Sequence, residues 1–278
     1  MGECQRVDRP LLRYYGGKWR LAPWIISYFP RHDCYVEPFA GAASVLLRKE
    51  PSRIEVFNDA NQAVVNFFRV LRERERDLLG LLQKTPYGRR EYLDCLEETS
   101  DPIESARRFF VLHWQSVGHT ASRQTGWKFC ARVKKTNGST SEVTDWLKSI
   151  ASIPAAVRRL SGVQLECDDA LKIIKRYDTP ETLFYCDPPY PSSTRNRRWC
   201  QGAYQSEMSH HDHEHLANLL NRIRGMAIVS TYPNQRYDEM YSGWKKEEKT
   251  CQTMNKTIAT ELIYLSPNTV RRLDLQSP

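Results

Sequence analysis

The most chemically informative stretch of the 278-residue chain is Asp187-Pro188-Pro189-Tyr190, which follows the apolar run Leu183-Phe184-Tyr185. Two prolines rigidify the exit from a strand, withhold backbone N–H donors, and leave carbonyl oxygens beside a carboxylate and an aromatic ring. Such a turn accepts two hydrogen bonds and stacks a planar ring. Methyl transfer to an exocyclic amine requires that combination, because the amine's lone pair is delocalised into its ring and is a poor nucleophile. Bonds from its two N–H groups to Asp187 and to the Pro188 carbonyl favour a tetrahedral nitrogen whose lone pair can attack. Tyr190 then stacks on the base, with the ring face mattering more than the hydroxyl. A structural Pro-rich turn is the alternative reading of the same four residues.

A second constellation starts at Glu37-Pro38-Phe39-Ala40-Gly41-Ala42-Ala43, where small residues let a backbone approach a ligand at a strand-to-helix turn. Asp59 lies 18 residues after Gly41, close to the spacing of about 20 at which an acidic residue meets ribose hydroxyls. Together they point to a ribose-containing cofactor. Gly16-Gly17-Lys18 is no phosphate-binding P-loop, because Leu12 occupies the place of that motif's first glycine. The run Ser209-His210-His211-Asp212-His213-Glu214-His215 puts His211 and His215 one helical turn apart, yet it lacks a zinc signature and reads as a polar helix start.

These groups need a scaffold of strand ends, and the hydrophobic pattern supplies one. Residues 11–15 read as a short strand or extended entry, 34–37 and 53–57 as strands, and 42–49, full of good helix formers, as a helix between them. Strands resume at 162–167, 182–186, 226–231 and 260–265, with helices over 170–177 and 209–223. Alternating strands and helices predict an α/β fold with a mostly parallel sheet. Residues 61–160 break the alternation and read as an inserted helical subdomain. Asp169 suits the cap of the helix that follows it.

Composition is that of a folded protein, with 40% hydrophobic and 27% charged residues, and no run approaches the ~18 apolar residues of a membrane span. No signal peptide or lipid anchor is expected at the start. Eight cysteines without a CxxC pair suit a reducing compartment. The net charge of +8 suits a polyanionic partner. Residues 61–160 hold 17 Lys plus Arg against 11 Asp plus Glu, a net +6 of that excess. Within them Arg123, Lys128, Arg132, Lys134 and Lys135 stand without an acid and with Trp127 and Phe129 interleaved, a candidate phosphate-contacting loop. Arg195, Arg197 and Arg198 form a second such loop after the Asp187 turn.

At this point the chain resembles the Dam-like N6-adenine-specific DNA methyltransferases that use S-adenosylmethionine. Tyr14-Tyr15-Gly16-Gly17-Lys18 resembles that family's N-terminal cofactor segment, Glu37 to Val45 its E-P-F-x-G-x-G-S-V loop, and Tyr185 to Tyr190 its catalytic strand end. Asn58-Asp59-Ala60-Asn61 is similar to its acidic D-x-N step. Ala43 departs from the usual Gly. The resemblance covers about residues 10–60 and 160–266 and implies a Rossmann-like methyltransferase sheet. Its catalytic domain would be built from residues 10–61 and 161–270, with a helical target-recognition insertion at 62–160. It further implies that Asp187, Pro188 and Tyr190 are catalytic, and that Tyr14, Lys18, Phe39, Gly41, Asp59, Asp169 and Asp187 meet S-adenosylmethionine. Double-stranded DNA is the implied substrate, GATC, the family's commonest target, the expected site, and the prokaryotic or phage-infected cytoplasm the expected location. No metal is expected, and a cognate restriction endonuclease is the partner the resemblance suggests.

Other readings are weaker. A 5-cytosine methyltransferase needs a cysteine nucleophile, typically after proline, and no proline here precedes cysteine. N4-cytosine enzymes usually carry Ser at the position of Asp187, and protein glutamine methyltransferases Asn. A non-catalytic DNA-binding module would have no reason to place these motifs on successive strand ends.

Overall fold

The computed structural model describes residues 7–119, 126–131, 141–190, 208–252 and 258–276. The first elements are α1 (Ala22–Ile26), β1 (Cys34–Glu37) and β2 (Ile54–Asn58). Helices α2 (Gln62–Glu73), α3 (Glu75–Lys84), α4 (Arg89–Asp94), α5 (Pro102–Gln115), α6 (Glu142–Ala151) and α7 (Ile153–Leu160) follow. The chain then forms β3 (Val163–Glu166), α8 (Ala170–Tyr177), β4 (Thr182–Cys186), α9 (His210–Leu220), β5 (Met226–Thr231) and α10 (Gln235–Met240). It ends with β6 (Lys245–Gln252), β7 (Ile258–Leu265) and α11 (Pro267–Asp274). Contacts divide these into two compact units, one of residues 1–20, 41–48 and 61–163, the other of residues 21–40, 49–60 and 164–278.

The second unit carries the sheet, seven strands in the order β3-β2-β1-β4-β5-β7-β6. β1 pairs in parallel with both β2 and β4, and β4 with β5, while β7 runs antiparallel to β5 and to β6. The fold is thus the mixed α/β, Rossmann-like arrangement expected. From β1 the strand order runs outward through β2 to β3, then returns to β4 on the other side of β1. In open α/β sheets that reversal opens a crevice at the strands' carboxyl ends, and here those ends carry Glu37 and Asp187. β1, β4 and β5 are buried along their whole length, as strands covered on both faces are. One face packs Val36, Val56, Phe184, Ala227 and Val229 against Ile173 and Ile174 of α8 and Leu216 and Leu220 of α9.

β6 was not foreseen. Its sequence, Lys245-Lys246-Glu247-Glu248-Lys249-Thr250-Cys251-Gln252, has no apolar alternation, because an edge strand needs only its ladder with β7 and benefits from charges that discourage further pairing. α10 and α11 were missed as well.

In the first unit α2 buries Val64, Phe67, Phe68, Val70 and Leu71 on one face and starts at Asn61, whose side chain accepts from the Ala63 N–H. Phe67 lies 6.0 Å from Phe110 of α5, and Phe110 lies 5.3 Å from Trp146 of α6. The N-terminal segment joins this unit through Leu11, whose carbonyl accepts from the Trp114 indole at 3.0 Å, and Arg13, which pairs with Glu142 at 2.8 Å.

Two expectations for this unit need correction. Residues 42–49 form consecutive turns rather than a helix. Gly41 and Ala43 take left-handed φ values of +49° and +53°, which an α-helix cannot contain; only isolated bonds such as Leu47 N–H to Ala43 C=O remain. Of the two readings of residues 11–15, short strand or extended entry, the strand falls: they lead into a turn closed by Gly17 N–H donating to the Tyr14 carbonyl at 3.0 Å.

Candidate active site

β4 delivers Asp187 half-buried at the carboxyl edge of the sheet, followed by a buried Pro188 and by Tyr190, only 5% exposed. The charge of Asp187 is felt by three phenols and a thiol around it. Burial first, and the charge of Asp187 second, push the Tyr190 and Tyr185 phenols and the Cys186 thiol well above their usual pKa values. Tyr237 is raised by the same two causes. All four are therefore neutral at physiological pH. Tyr185 donates to Ser230 at 3.1 Å, and Tyr190 meets the ring of Tyr232 edge-on, with centroids 4.8 Å apart.

The Tyr190 hydroxyl, expected to be spare, is engaged: it donates to Glu261, a buried carboxylate on β7. Glu261 and Tyr232 carried no sequence signal beyond lying in or just after an apolar strand. Only the register of β7 on β5 brings them to this edge.

At the neighbouring strand ends the organiser is Asn58, fully buried at the end of β2. Its amide donates to the Pro38 carbonyl at 2.9 Å and to the Asp168 carbonyl at 3.0 Å, and its backbone carbonyl accepts from Ala40 N–H at 2.9 Å. The exits of β1, β2 and β3 are thereby tied together, and Asp59 emerges half-buried beside them. Phe39 packs against the core of the sheet. Asp169 caps α8, accepting from Lys172 N–H at 3.1 Å. Asp168 is the more strongly held acid. The Asp169 N–H, then Lys172 and Arg176, keep its carboxyl below the usual range.

In the first unit Lys18 is buried and donates to the Gly16 carbonyl at 2.8 Å, so it is not a solvated surface lysine. Tyr14 lies parallel to His113 of α5, ring centroids 5.2 Å and planes 6° apart. A Cβ at Gly41 would come within 3.2 Å of the Tyr14 ring. Burial lowers the pKa of His113 to about 4; its neutral imidazole donates from Nδ1 to the Phe109 carbonyl at 2.8 Å, since a carbonyl can only accept. A lone histidine inside an amphipathic helix gives no sign of this packing in the sequence.

Of the expected DNA contacts, Arg123, Arg132, Lys134, Lys135, Arg195, Arg197 and Arg198 lie outside the described residues. Lys128 is described, and its ammonium pairs with the buried Glu142 at 3.0 Å. Beside it Trp127 and Phe129 stack at 5.9 Å, Arg89 lies over both rings, and Phe129 is 63% exposed. His211 and His215 stand with rings 3.9 Å apart. Among the described residues no group of three His, Cys, Asp or Glu side chains could hold a metal ion, and no helix is long and apolar enough to cross a membrane.

Comparison with known proteins places the chain in a family. The family model of the D12 class N6 adenine-specific DNA methyltransferases matches residues 14–260. A DNA adenine methylase of Haemophilus influenzae is 37% identical over 257 residues, covering 85% of this chain and 84% of its own. The DNA adenine methylase of Salmonella typhi is 34% identical over 203 residues, 69% of each chain. That of Escherichia coli K12 is 23% identical over an equal length. The chain belongs to the D12 class of N6 adenine-specific DNA methyltransferases.

Proposed function

We propose that this DNA adenine methyltransferase takes its methyl group from S-adenosylmethionine and places it on N6 of the adenine in a short duplex site, GATC. The observation that carries the proposal is Asp187: a carboxylate at the carboxyl end of β4, beside the strand-order reversal, followed by two prolines and an aromatic ring.

S-adenosylmethionine supplies an electrophilic methyl group on a sulfonium. The residues present suit such a ligand. Asp59 offers a carboxylate for ribose hydroxyls at the end of β2, Lys18 a cation for an amino-acid carboxylate, and Tyr14, Phe39 and Gly41 apolar surface. Asp169, already a helix cap, is assigned to the adenine end. In a duplex the target amine is inaccessible, so the base must leave the stack, at a cost of a few kcal/mol, and be held outside it. Asp187 and the Pro188 carbonyl then accept from the two N6 hydrogens and keep the nitrogen lone pair out of the ring. Formation of the N–C bond would break the donor's sulfonium C–S bond, the electron pair staying on sulfur as a neutral thioether, and the surplus proton on nitrogen would pass through the Asp187 carboxylate to water. Tyr190 presents its ring to the flipped base, while its hydroxyl is retained by Glu261.

DNA would be held by the helical segment 62–160, through Arg123, Arg132, Lys134 and Lys135, and by Arg195, Arg197 and Arg198. Relatives named DNA adenine methylase support adenine in DNA as the substrate, while the GATC reading rests on the resemblance of the motifs to the Dam-like family. A cytoplasmic protein working on the chromosome, with or without a cognate restriction endonuclease, is the setting we propose.

The test is transfer of tritiated methyl groups to DNA with and without GATC, followed by identification of the modified base. N6-methyladenine confined to GATC, abolished by Asp187→Ala with DNA binding intact, is expected. Methylcytosine as product, or near wild-type turnover in Asp187→Ala, would sink the mechanism. Methyladenine at another sequence would sink the GATC assignment alone.

A further inference from the structure

We propose that Glu261 is a positioning residue for methyl transfer, acting through the Tyr190 hydroxyl to hold the turn 187–190 in its accepting geometry. The inference rests on the reading of that turn as the acceptor site.

Its first support is register. β7 runs antiparallel to β5 with Thr231 opposite Leu262, so Glu261 falls one step beyond the end of β5. That is the edge of the sheet at which the adjacent β4 delivers Asp187. An acid at the head of the apolar run Leu262-Ile263-Tyr264-Leu265 would ordinarily stay in water, and yet Glu261 is 2% exposed.

The second support is energetic. Removing a carboxylate from water is costly unless charge-assisted hydrogen bonds replace the missing hydration. If the space needed only filling, a phenylalanine against a leucine would fill it without that cost. Tyr190 donates to Glu261 instead. Burial, together with the charges of Asp187 and Glu261, keeps the phenol protonated. It therefore remains a donor, and Glu261 sets the direction in which its hydroxyl points.

The third support is mechanical. The Tyr190 ring is held at its hydroxyl by Glu261 and against its side by Tyr232. Pro188 and Pro189, with φ locked by their rings, remove two of the torsions that would otherwise absorb a movement of Tyr190. A shift at Tyr190 is therefore passed to the Pro188 carbonyl and the Asp187 carboxylate, the two groups assigned to the amine. Misplacing such groups by about 1 Å costs on the order of 100-fold in rate.

The test is a double-mutant cycle in the full chain with Glu261→Gln and Tyr190→Phe, reading kcat, the KM values for DNA and S-adenosylmethionine, and Tm. Glu261→Gln is expected to lower kcat by about tenfold or more while the KM values move by less than about threefold. Tyr190→Phe should lower kcat comparably, and the double variant should be no slower than the slower single one. An unchanged kcat in a folded Glu261→Gln, a loss confined to KM, or losses that multiply in the double variant would each overturn the proposal. Should Glu261→Gln fail to fold, Glu261→Asp keeps the charge on a shorter arm; reduced kcat at wild-type Tm supports the proposal, and wild-type kcat overturns it. Asp187→Ala, measured in parallel, separates the two ideas. If it retains activity, the acceptor-turn reading falls; if it is inactive while Glu261→Gln runs at the wild-type rate, only the role of Glu261 falls.

Discussion

Asn58 and Asp168 exchange hydrogen bonds in both directions: the Asn58 amide donates to the Asp168 carbonyl at 3.0 Å, and the Asp168 N–H donates to Asn58 Oδ1 at 2.9 Å. The exchange fastens the exit of β2 to the exit of β3, while the same amide holds the turn after β1 through Pro38. Only a side chain with both a donor and an acceptor can do this, so neither Asp nor Leu can replace it.

Asn58→Leu would leave buried backbone groups unpaired at about 1–3 kcal/mol each. A clear fall in Tm by calorimetry is expected, with loss of cofactor affinity. Asp59→Ala, at a half-buried neighbour, should lower affinity for S-adenosylmethionine with little change in Tm. Equal Tm losses in the two variants would contradict this division of labour.

Gly41 and Ala43 share a left-handed backbone, with φ of +49° and +53°, but should respond differently to substitution. Gly41→Ala adds a left-handed penalty of roughly 1–2 kcal/mol and drives a methyl to 3.2 Å from the Tyr14 ring. At position 43 the penalty is already present. Ala43→Gly relieves it but gives up a buried methyl, about 0.8 kcal/mol, and adds chain entropy to the unfolded state of roughly 0.5–1 kcal/mol. Denaturant melts should show Gly41→Ala destabilised and Ala43→Gly within about 1 kcal/mol of wild type; the reverse order would refute the assignment.

His113 makes stability depend on pH. Its folded pKa, lowered by burial to about 4, lies below the usual value near 6.5 for an unfolded chain. The unfolded state therefore binds a proton first as pH falls. Stability is fully present above about pH 6.5 and declines towards pH 4, by at most roughly 3 kcal/mol. His113→Phe keeps a ring against Tyr14 and removes the proton. Its stability should vary less between pH 6.5 and 4, as chemical denaturation across that range would reveal. An unchanged slope would place the acid sensitivity elsewhere.

Lys128 should behave unlike the other basic residues of its loop. Its ammonium is committed to Glu142, a buried carboxylate that also takes Arg13. Lys128→Met should lower Tm and leave the salt dependence of DNA binding nearly unchanged. Replacing Arg132 or Lys134 by an uncharged residue should flatten the log–log slope by about 0.9 for each phosphate no longer neutralised. Fluorescence anisotropy over a salt series distinguishes these outcomes; a flattened slope in Lys128→Met would return that residue to the DNA surface.

Features whose physics is local were legible in the sequence. The two prolines of the turn 187–190 restrict their own backbone, the apolar runs of β1, β4 and β5 announce strands buried on both faces, and the polar run at Ser209 announces a helix start, which the structure closes with a capping box to Asp212. The strand alternation and the spacing from Gly41 to Asp59 were readable for the same reason. Whatever depends on register and on packing between distant segments emerged only in three dimensions. Asn58 and Asp168 are 110 residues apart, and Tyr190 and Glu261 are 71 apart. Residues 42–49 have the composition of a helix, yet the left-handed backbone at Gly41 and Ala43 holds them in turns. β6 is a strand because β7 offers it a ladder of backbone bonds, and a backbone ladder makes no demand on side-chain type that a sequence could display.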